Sequence, residues 1–198
     1  VSTHMFWYDR LADRTLVPTI PAYHRGFEAG LRPDQMRVTG LPVNPKFAER
    51  LTDKASARAA LGWDPKLPAI LVVGGGDGMG PLFKTARAIN NRGLACQLAV
   101  VAGRNKPLKA DLDAASWNQP THNYGFVTNM PQLMAAADIL VTKAGPSTVM
   151  EACMAGLPMV LYDAIPGQET GNVDYVVENR AGVFAPSARR VADAVSEW

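Results

Sequence analysis

Charge is sparse in this chain and neither sign prevails. Lys and Arg number 20 against 18 Asp and Glu, a formal net charge of +2, and charged residues are only 19% of the whole. Basic and acidic residues are interspersed, so no cationic run or aromatic-interleaved patch marks a nucleic-acid surface. The three histidines, His4, His24 and His122, fit no ligand spacing. Asp111 and Asp113, two residues apart on a helical pattern, point about 200° away from each other and cannot chelate one ion. Neither nucleic acid nor a bound metal is expected. The only cysteines, Cys96 and Cys153, both stand among apolar neighbours, which predicts buried reduced thiols rather than a disulfide. No apolar run approaches the roughly 20 residues that span a bilayer. The start, Val1-Ser2-Thr3-His4, has no charged and apolar segments of a signal peptide. A first residue other than Met, and a helical pattern running to Trp198, suggest a piece of something longer.

What is present is alternation. The chain is 47% hydrophobic, and short β-branched runs recur between helical patterns. Strands are expected at Thr15–Val17, Met36–Thr39, Ala69–Val73, Cys96–Ala102, His122–Tyr124, Ala137–Val141 and Met159–Tyr162. Helices are expected at Tyr23–Ala29, Lys46–Leu61, Pro81–Asn90, Leu108–Trp117, Met130–Ala135, Pro146–Ala155, Glu169–Val177 and Ala188–Glu197. Strands separated by helices imply an α/β fold: a Rossmann-like parallel sheet with helices on both faces. The two prolines of Gly40-Leu41-Pro42-Val43-Asn44-Pro45 read as an interdomain linker.

In such sheets ligands bind beyond the carboxyl ends of the strands. Four consecutive strands here end in glycine-bearing or polar loops: Gly74 to Pro81, Gly103-Arg104-Asn105-Lys106, Gly125-Phe126-Val127-Thr128 and Thr142-Lys143-Ala144-Gly145-Pro146. The last runs straight into a helix, where unsatisfied amides and the helix dipole attract phosphate. Glu151 follows one turn on and could accept from a ribose diol. Alternatively, Thr148 and Glu151 form a capping box and Glu151 satisfies a backbone donor. The next strand delivers Gln168 and Glu169, suited to sugar hydroxyls, with Asn172 just beyond. Diphosphate, ribose and sugar sites together suggest a nucleotide-sugar donor site.

Other readings of these segments fail or stay open. The glycine run does not carry the spacing of a dinucleotide fingerprint or a P-loop. Gly76 and Gly78 either let a ligand approach the backbone or simply make a turn. Ser147 lacks the second glycine of a nucleophile elbow, and no histidine follows it. Arg104 either faces a diphosphate or is solvated, as Lys106 is. Gly125, Phe126 and Val127 present their backbone to a base edge, or else Phe126 is a core ring closing a strand.

These segments, with Gly40-Leu41-Pro42-Val43 and Gly167-Gln168-Glu169-Thr170-Gly171-Asn172-Val173, resemble the monogalactosyldiacylglycerol synthases over nearly the whole chain. Those enzymes belong to glycosyltransferase family 28, with the peptidoglycan enzyme MurG and the bacterial diacylglycerol glucosyltransferases. The resemblance implies a GT-B fold of two Rossmann-like domains. Residues 1–40 would end a truncated acceptor domain, and 41–198 would be the UDP-sugar-binding domain. It implies transfer of galactose or glucose from UDP-galactose or UDP-glucose to 1,2-diacylglycerol with inversion, without a cofactor. The alternatives are a MurG-type transferase with another lipid-linked acceptor, or a non-catalytic UDP-binding module.

By the same resemblance the Gly125, Phe126 and Val127 backbone would hold uracil and Glu151 the ribose. Ala144, Gly145, Pro146, Ser147 and Thr148 would meet the diphosphate. Gln168, Glu169 and Asn172 would face the hexose, and His4 would border the cleft as a candidate catalytic residue. Many relatives carry Arg where Asn44 stands, which puts part of the leaving-group stabilisation in question. The enzyme would be cytoplasmic and peripheral at the inner face of the membrane, attached through the missing N-terminal domain.

Overall fold

The computed structural model describes residues 4–48, 53–78 and 80–198. Its first unit is a short parallel pair: β1 (Thr15–Val17) and β2 (Met36–Val38), joined through helix α1 (Ile20–Glu28). Thr19 caps α1 by accepting the Ala22 amide at 3.2 Å, and a proline at the start is already set for helical φ. This unit has its own small core of Tyr8, Val17, Ala22, Ala29, Leu31 and Met36. Its outer side leaves Phe6, Trp7 and Leu11 largely in solvent.

Residues 39–44 have no regular structure, and a single 3-10 turn, Pro45–Phe47, drives Phe47 into the main core. The helix expected over 46–61 is shorter. It is α2 (Lys54–Ala60), begun where the Asp53 carboxylate accepts the Ser56 amide at 2.6 Å. Residues 49–52 of that expectation lie outside the described residues, as does Met79 of the glycine loop.

The main sheet has six strands: β3 (Ala69–Val73), β4 (Gln97–Val101), β5 (Thr121–Tyr124), β6 (Ile139–Lys143), β7 (Met159–Asp163) and β8 (Gly182–Phe184). They lie in the order β5-β4-β3-β6-β7-β8, every pairing parallel. Side chains alternate across the sheet as the pleat requires. Ala69, Leu71, Val73, Leu140, Met159 and Leu161 enter one core; Ile70, Val72, Val141, Val160 and Tyr162 enter the other. On the first face pack α2, α5 (Met130–Ala136), α6 (Pro146–Ala155) and α7 (Thr170–Glu178). On the second pack α3 (Leu82–Asn90), α4 (Lys106–Ala114) and α8 (Ala188–Glu197). Burying each Val, Leu or Ile of β3 contributes about 1.5–3 kcal/mol, which is why this all-apolar strand takes the centre.

Three expectations are corrected. β8 has no counterpart among the expected strands, because Gly182-Val183-Phe184 opens on a glycine, a residue depleted in strands. β6 begins at Ile139 and extends to Lys143, so Thr142 and Lys143 are strand rather than loop. Cys153 is exposed on α6 while Cys96 is buried; both are free thiols. Ala152 faces the core while Cys153 and Met154 are both exposed on α6, which local composition cannot reveal.

Candidate functional site

From β3 the chain turns towards β4, and from β6 it turns the opposite way towards β7, so the loops leaving these two neighbours diverge. A crevice opens there at the carboxyl edge of the sheet. One wall is the end of β6. The pairing of β6 with β7 shifts at this point: Thr142 faces Leu161 but Lys143 faces Asp163, so β7 carries one extra residue. The Ala144 amide donates to the Asp163 carbonyl and the Gly145 amide to the Lys143 carbonyl, each at 2.8 Å. Pro146 has no amide hydrogen. Of the five residues expected to supply the diphosphate contacts, only Ser147 and Thr148 keep amides without an acceptor among the described residues. Ala144 and Gly145 are buried lead-in, not donors.

The capping-box reading is overturned here. The residue at the N-cap is Gly145, with no side-chain cap, and Thr148 already lies inside the first turn. Glu151 therefore sits in the second turn, half-buried, its carboxylate without a hydrogen bond among the described residues. Burial pushes its carboxyl above the ordinary carboxylate range. An open, partly desolvated carboxylate beside two open amides suits a diol adjoining a phosphate.

The loop after β7 is organised from within. Glu169 is 2% exposed. Its Oε1 accepts from Lys143 Nζ at 2.6 Å and its Oε2 from the Ile165 amide at 3.0 Å. Asn172 is fully buried and donates its side-chain amide to the Ala144 carbonyl at 2.7 Å. In this structure neither faces open space, and both hold the β6 and β7 loops together. Gln168 is exposed at the tip of the turn and can reach a ligand.

The glycine loop divides similarly. Gly78 is buried, with φ +58°, and a Cβ there would lie 2.1 Å from the Ala102 carbonyl oxygen. It is glycine so that the loop can lie on the end of β4, not so that a ligand can approach. Gly76 is exposed, and its carbonyl accepts the Arg104 amide at 2.8 Å. The Arg104 guanidinium lies 4.7 Å from the centre of the Phe126 ring, a cation–π contact, with Asp77 at 3.4 Å. Phe126 is 56% exposed, so the core-ring reading is wrong for it; Val127 packs on the core instead. Gly103, Arg104, Lys106, Lys109, Gly125 and Phe126 line a pocket of about 480 Å³ beyond β4 and β5.

His4 is exposed in the first unit; its Nδ1 accepts the Phe6 amide at 3.3 Å and its ring stacks on Phe6. Among the described residues no hydrogen bond or ring contact joins it to the crevice residues. Lys143 is the member that sequence reasoning passed over. Its signal was a cation directly before Ala-Gly-Pro at the end of the switch-point strand. Among the described residues, no three His, Cys, Asp or Glu side chains gather as a metal site. Nor is any described helix long and apolar enough to cross a membrane.

The profile of the glycosyltransferase family 28 C-terminal domain matches residues 69–186, most of the six-stranded unit, and the chain belongs to that family. The chain is 43% identical to the probable monogalactosyldiacylglycerol synthase 2, chloroplastic, of Oryza sativa subsp. japonica, over 98% of this chain and 43% of that protein. It is likewise 43% identical to the monogalactosyldiacylglycerol synthase, chloroplastic, of Spinacia oleracea, over 98% of this chain and 39% of that one. The chain thus spans about two-fifths of the length of these relatives. In fold it resembles Acinetobacter baumannii MurG, a GT-B glycosyltransferase, with a TM-score of 0.60 at 15% identity, covering 93% of this chain and 64% of that one. It also resembles Anabaena Alr3699/HepE crystallised in complex with UDP, TM-score 0.54 at 16% identity, covering 95% and 59%.

Proposed function

We propose that this chain is the donor-binding half of an inverting glycosyltransferase that moves a hexose from UDP-galactose or UDP-glucose to 1,2-diacylglycerol. The observation that carries it is the uncapped start of α6 at the sheet's switch point, with two open amides and the unpartnered Glu151 one turn on. The names of the plant relatives supply the galactose and the diacylglycerol. Residues 1–40 are read as the end of the acceptor domain and 41–198 as the donor domain.

In this reading the pocket beside Gly125, Phe126 and Val127 takes the uracil, and Glu151 accepts from the ribose hydroxyls. The amides of Ser147 and Thr148 meet the diphosphate, and Gln168 reaches the hexose. Charge grows on the diphosphate as the glycosidic bond breaks, and fixed amides at a helix start stabilise it without reorganising. The base that takes the acceptor's proton belongs to the acceptor domain, where His4 remains a candidate. No cofactor takes part in any of these steps. Peripheral attachment to the inner, cytoplasmic face of a membrane, through that domain, is part of the same proposal.

Calorimetric titration of the chain with UDP, UDP-galactose and UDP-glucose tests it. UDP should bind, and Glu151→Ala should weaken it by about 10–100-fold, the worth of hydrogen bonds to a charged group. No binding, or binding indifferent to Glu151→Ala, would remove the donor-site assignment. Equal affinity for UDP and both sugars would favour a non-catalytic nucleotide module.

A further inference from the structure

Lys143 ends β6 with its ammonium at the floor of the crevice. Its Nζ lies 3.4 Å from where a Cβ on Gly145 would stand, and its Cε 3.6 Å from the equivalent point on Gly75. Because both positions are glycine, neither puts a side chain against the lysine. The side chain is 23% exposed, whereas its partner Glu169 is 2% exposed. The cation therefore faces outward and the anion lies beneath it. Only one of the three ammonium hydrogens is taken, by Glu169 Oε1 at 2.6 Å, among the described residues. The open amides of Ser147 and Thr148 begin four residues further along the chain.

We propose that Lys143 and Glu169 form an exchangeable charge pair: an arriving nucleoside diphosphate draws the ammonium away, and the freed Glu169 oxygen turns to the donor's sugar hydroxyls. The proposal rests on the donor-site reading above. A diphosphate offers more negative charge than one carboxylate and adds the two amides as joint donors, so it competes well for the lysine. Glu169 does not collapse when the lysine leaves, because Oε2 stays on the Ile165 amide at 3.0 Å. Its buried charge would be costly alone, so sugar hydroxyls bind better there once the diphosphate has taken Lys143. The two halves of the donor thereby favour each other's binding. The same ammonium then balances charge on the departing diphosphate, a role that Asn44 in the linker cannot fill.

UDP and uridine are the probes, with the 15N ammonium signal of Lys143 followed in the unsubstituted chain. UDP should shift that signal and uridine should leave it in place. Lys143→Met should weaken UDP by about 10–100-fold, the range for a charge-assisted contact, and leave uridine unchanged, with Lys143→Arg recovering most of the loss. Glu169→Gln, which keeps the shape and the Ile165 contact, should tighten UDP by several-fold and lower the ratio of UDP-galactose to UDP affinity. An unmoved Lys143 signal on UDP saturation overturns the exchange, and so does a Glu169→Gln chain that binds UDP more weakly. If the unsubstituted chain binds no UDP at all, the donor-site reading fails and the exchange fails with it. UDP binding that depends on Glu151 but not on Lys143 would refute the exchange alone.

Discussion

Replacing Asn172 with Ala tests whether the donor wall is held from inside. Asn172 has no solvent exposure and donates at 2.7 Å to the carbonyl of Ala144, which is itself fully buried. No other donor among the described residues reaches that carbonyl outside the strand ladder. Removing the amide leaves a buried acceptor unmatched, at a cost of about 1–3 kcal/mol. The space left by the lost carboxamide adds to that, so about 2–4 kcal/mol is expected in total. Against a typical stability of about 5–15 kcal/mol this is a large fraction. At roughly 2–4 °C per kcal/mol for a chain of this size, the thermal midpoint should fall by about 4–16 °C. Urea unfolding measures the loss. UDP titration of the same variant should show weaker binding, because Ala144 leads directly into the open amides of α6. A midpoint within about 1 °C of the unsubstituted chain would refute the reasoning, since a satisfied buried carbonyl cannot lose its donor at so little cost. Full stability with lost UDP affinity would refute it differently, by making Asn172 a ligand contact after all.

Gly78→Ala must adopt φ +58° and place a methyl 2.1 Å from the Ala102 oxygen. The backbone strain alone costs about 1–2 kcal/mol, and the loop must also lift from β4, so urea unfolding should show a larger loss than that. His122 is held below its usual pKa by burial, its ring stacked against Trp63. The unfolded chain therefore binds the proton first, and stability should fall as pH drops below about 6.5 towards the folded value. His122→Gln should flatten that slope in unfolding curves taken from pH 7 to pH 5. Glu151 is shifted the other way: its burial penalty exists above the folded pKa and vanishes below the unfolded one. Glu151→Gln should thus stabilise the empty chain at pH 7, make no difference near pH 3, and weaken UDP binding, all measurable by urea unfolding and calorimetry.

The order of elements was legible because strands covered on both faces must be wholly apolar. Ala69–Val73 advertises itself, and so does the Pro146 helix start. The strand Gly182–Phe184 was not legible, since it opens on a glycine, a residue depleted in strands, and its pairing with β7 makes it one. The convergence of four loops could be argued from alternation, but what each residue does within them could not. Gly76 and Gly78 look alike in sequence, yet one is exposed and the other is pressed on a carbonyl. Phe126 is apolar but lies out in solvent under Arg104. Cys153 stands between Ala152 and Met154, of which the first is buried and the second exposed like the cysteine itself.

By itself the sequence determined the class of fold, the family and the edge of the sheet where a ligand belongs. The fold class and that edge follow from local rules: apolar period, glycine and proline punctuation, and a helix beginning where a strand ends; the family follows from the resemblance of the motifs. Which donors remain open was decided only in three dimensions. The amides of Ala144 and Gly145 are consumed by carbonyls of Asp163 and Lys143, and the carboxylate of Glu169 by Lys143, 26 residues earlier in the chain. A hydrogen-bonding group already claimed within the folded chain can meet a ligand only by giving up that partner. Such claims are made between strands that meet side by side, out of reach of any pattern read along the chain.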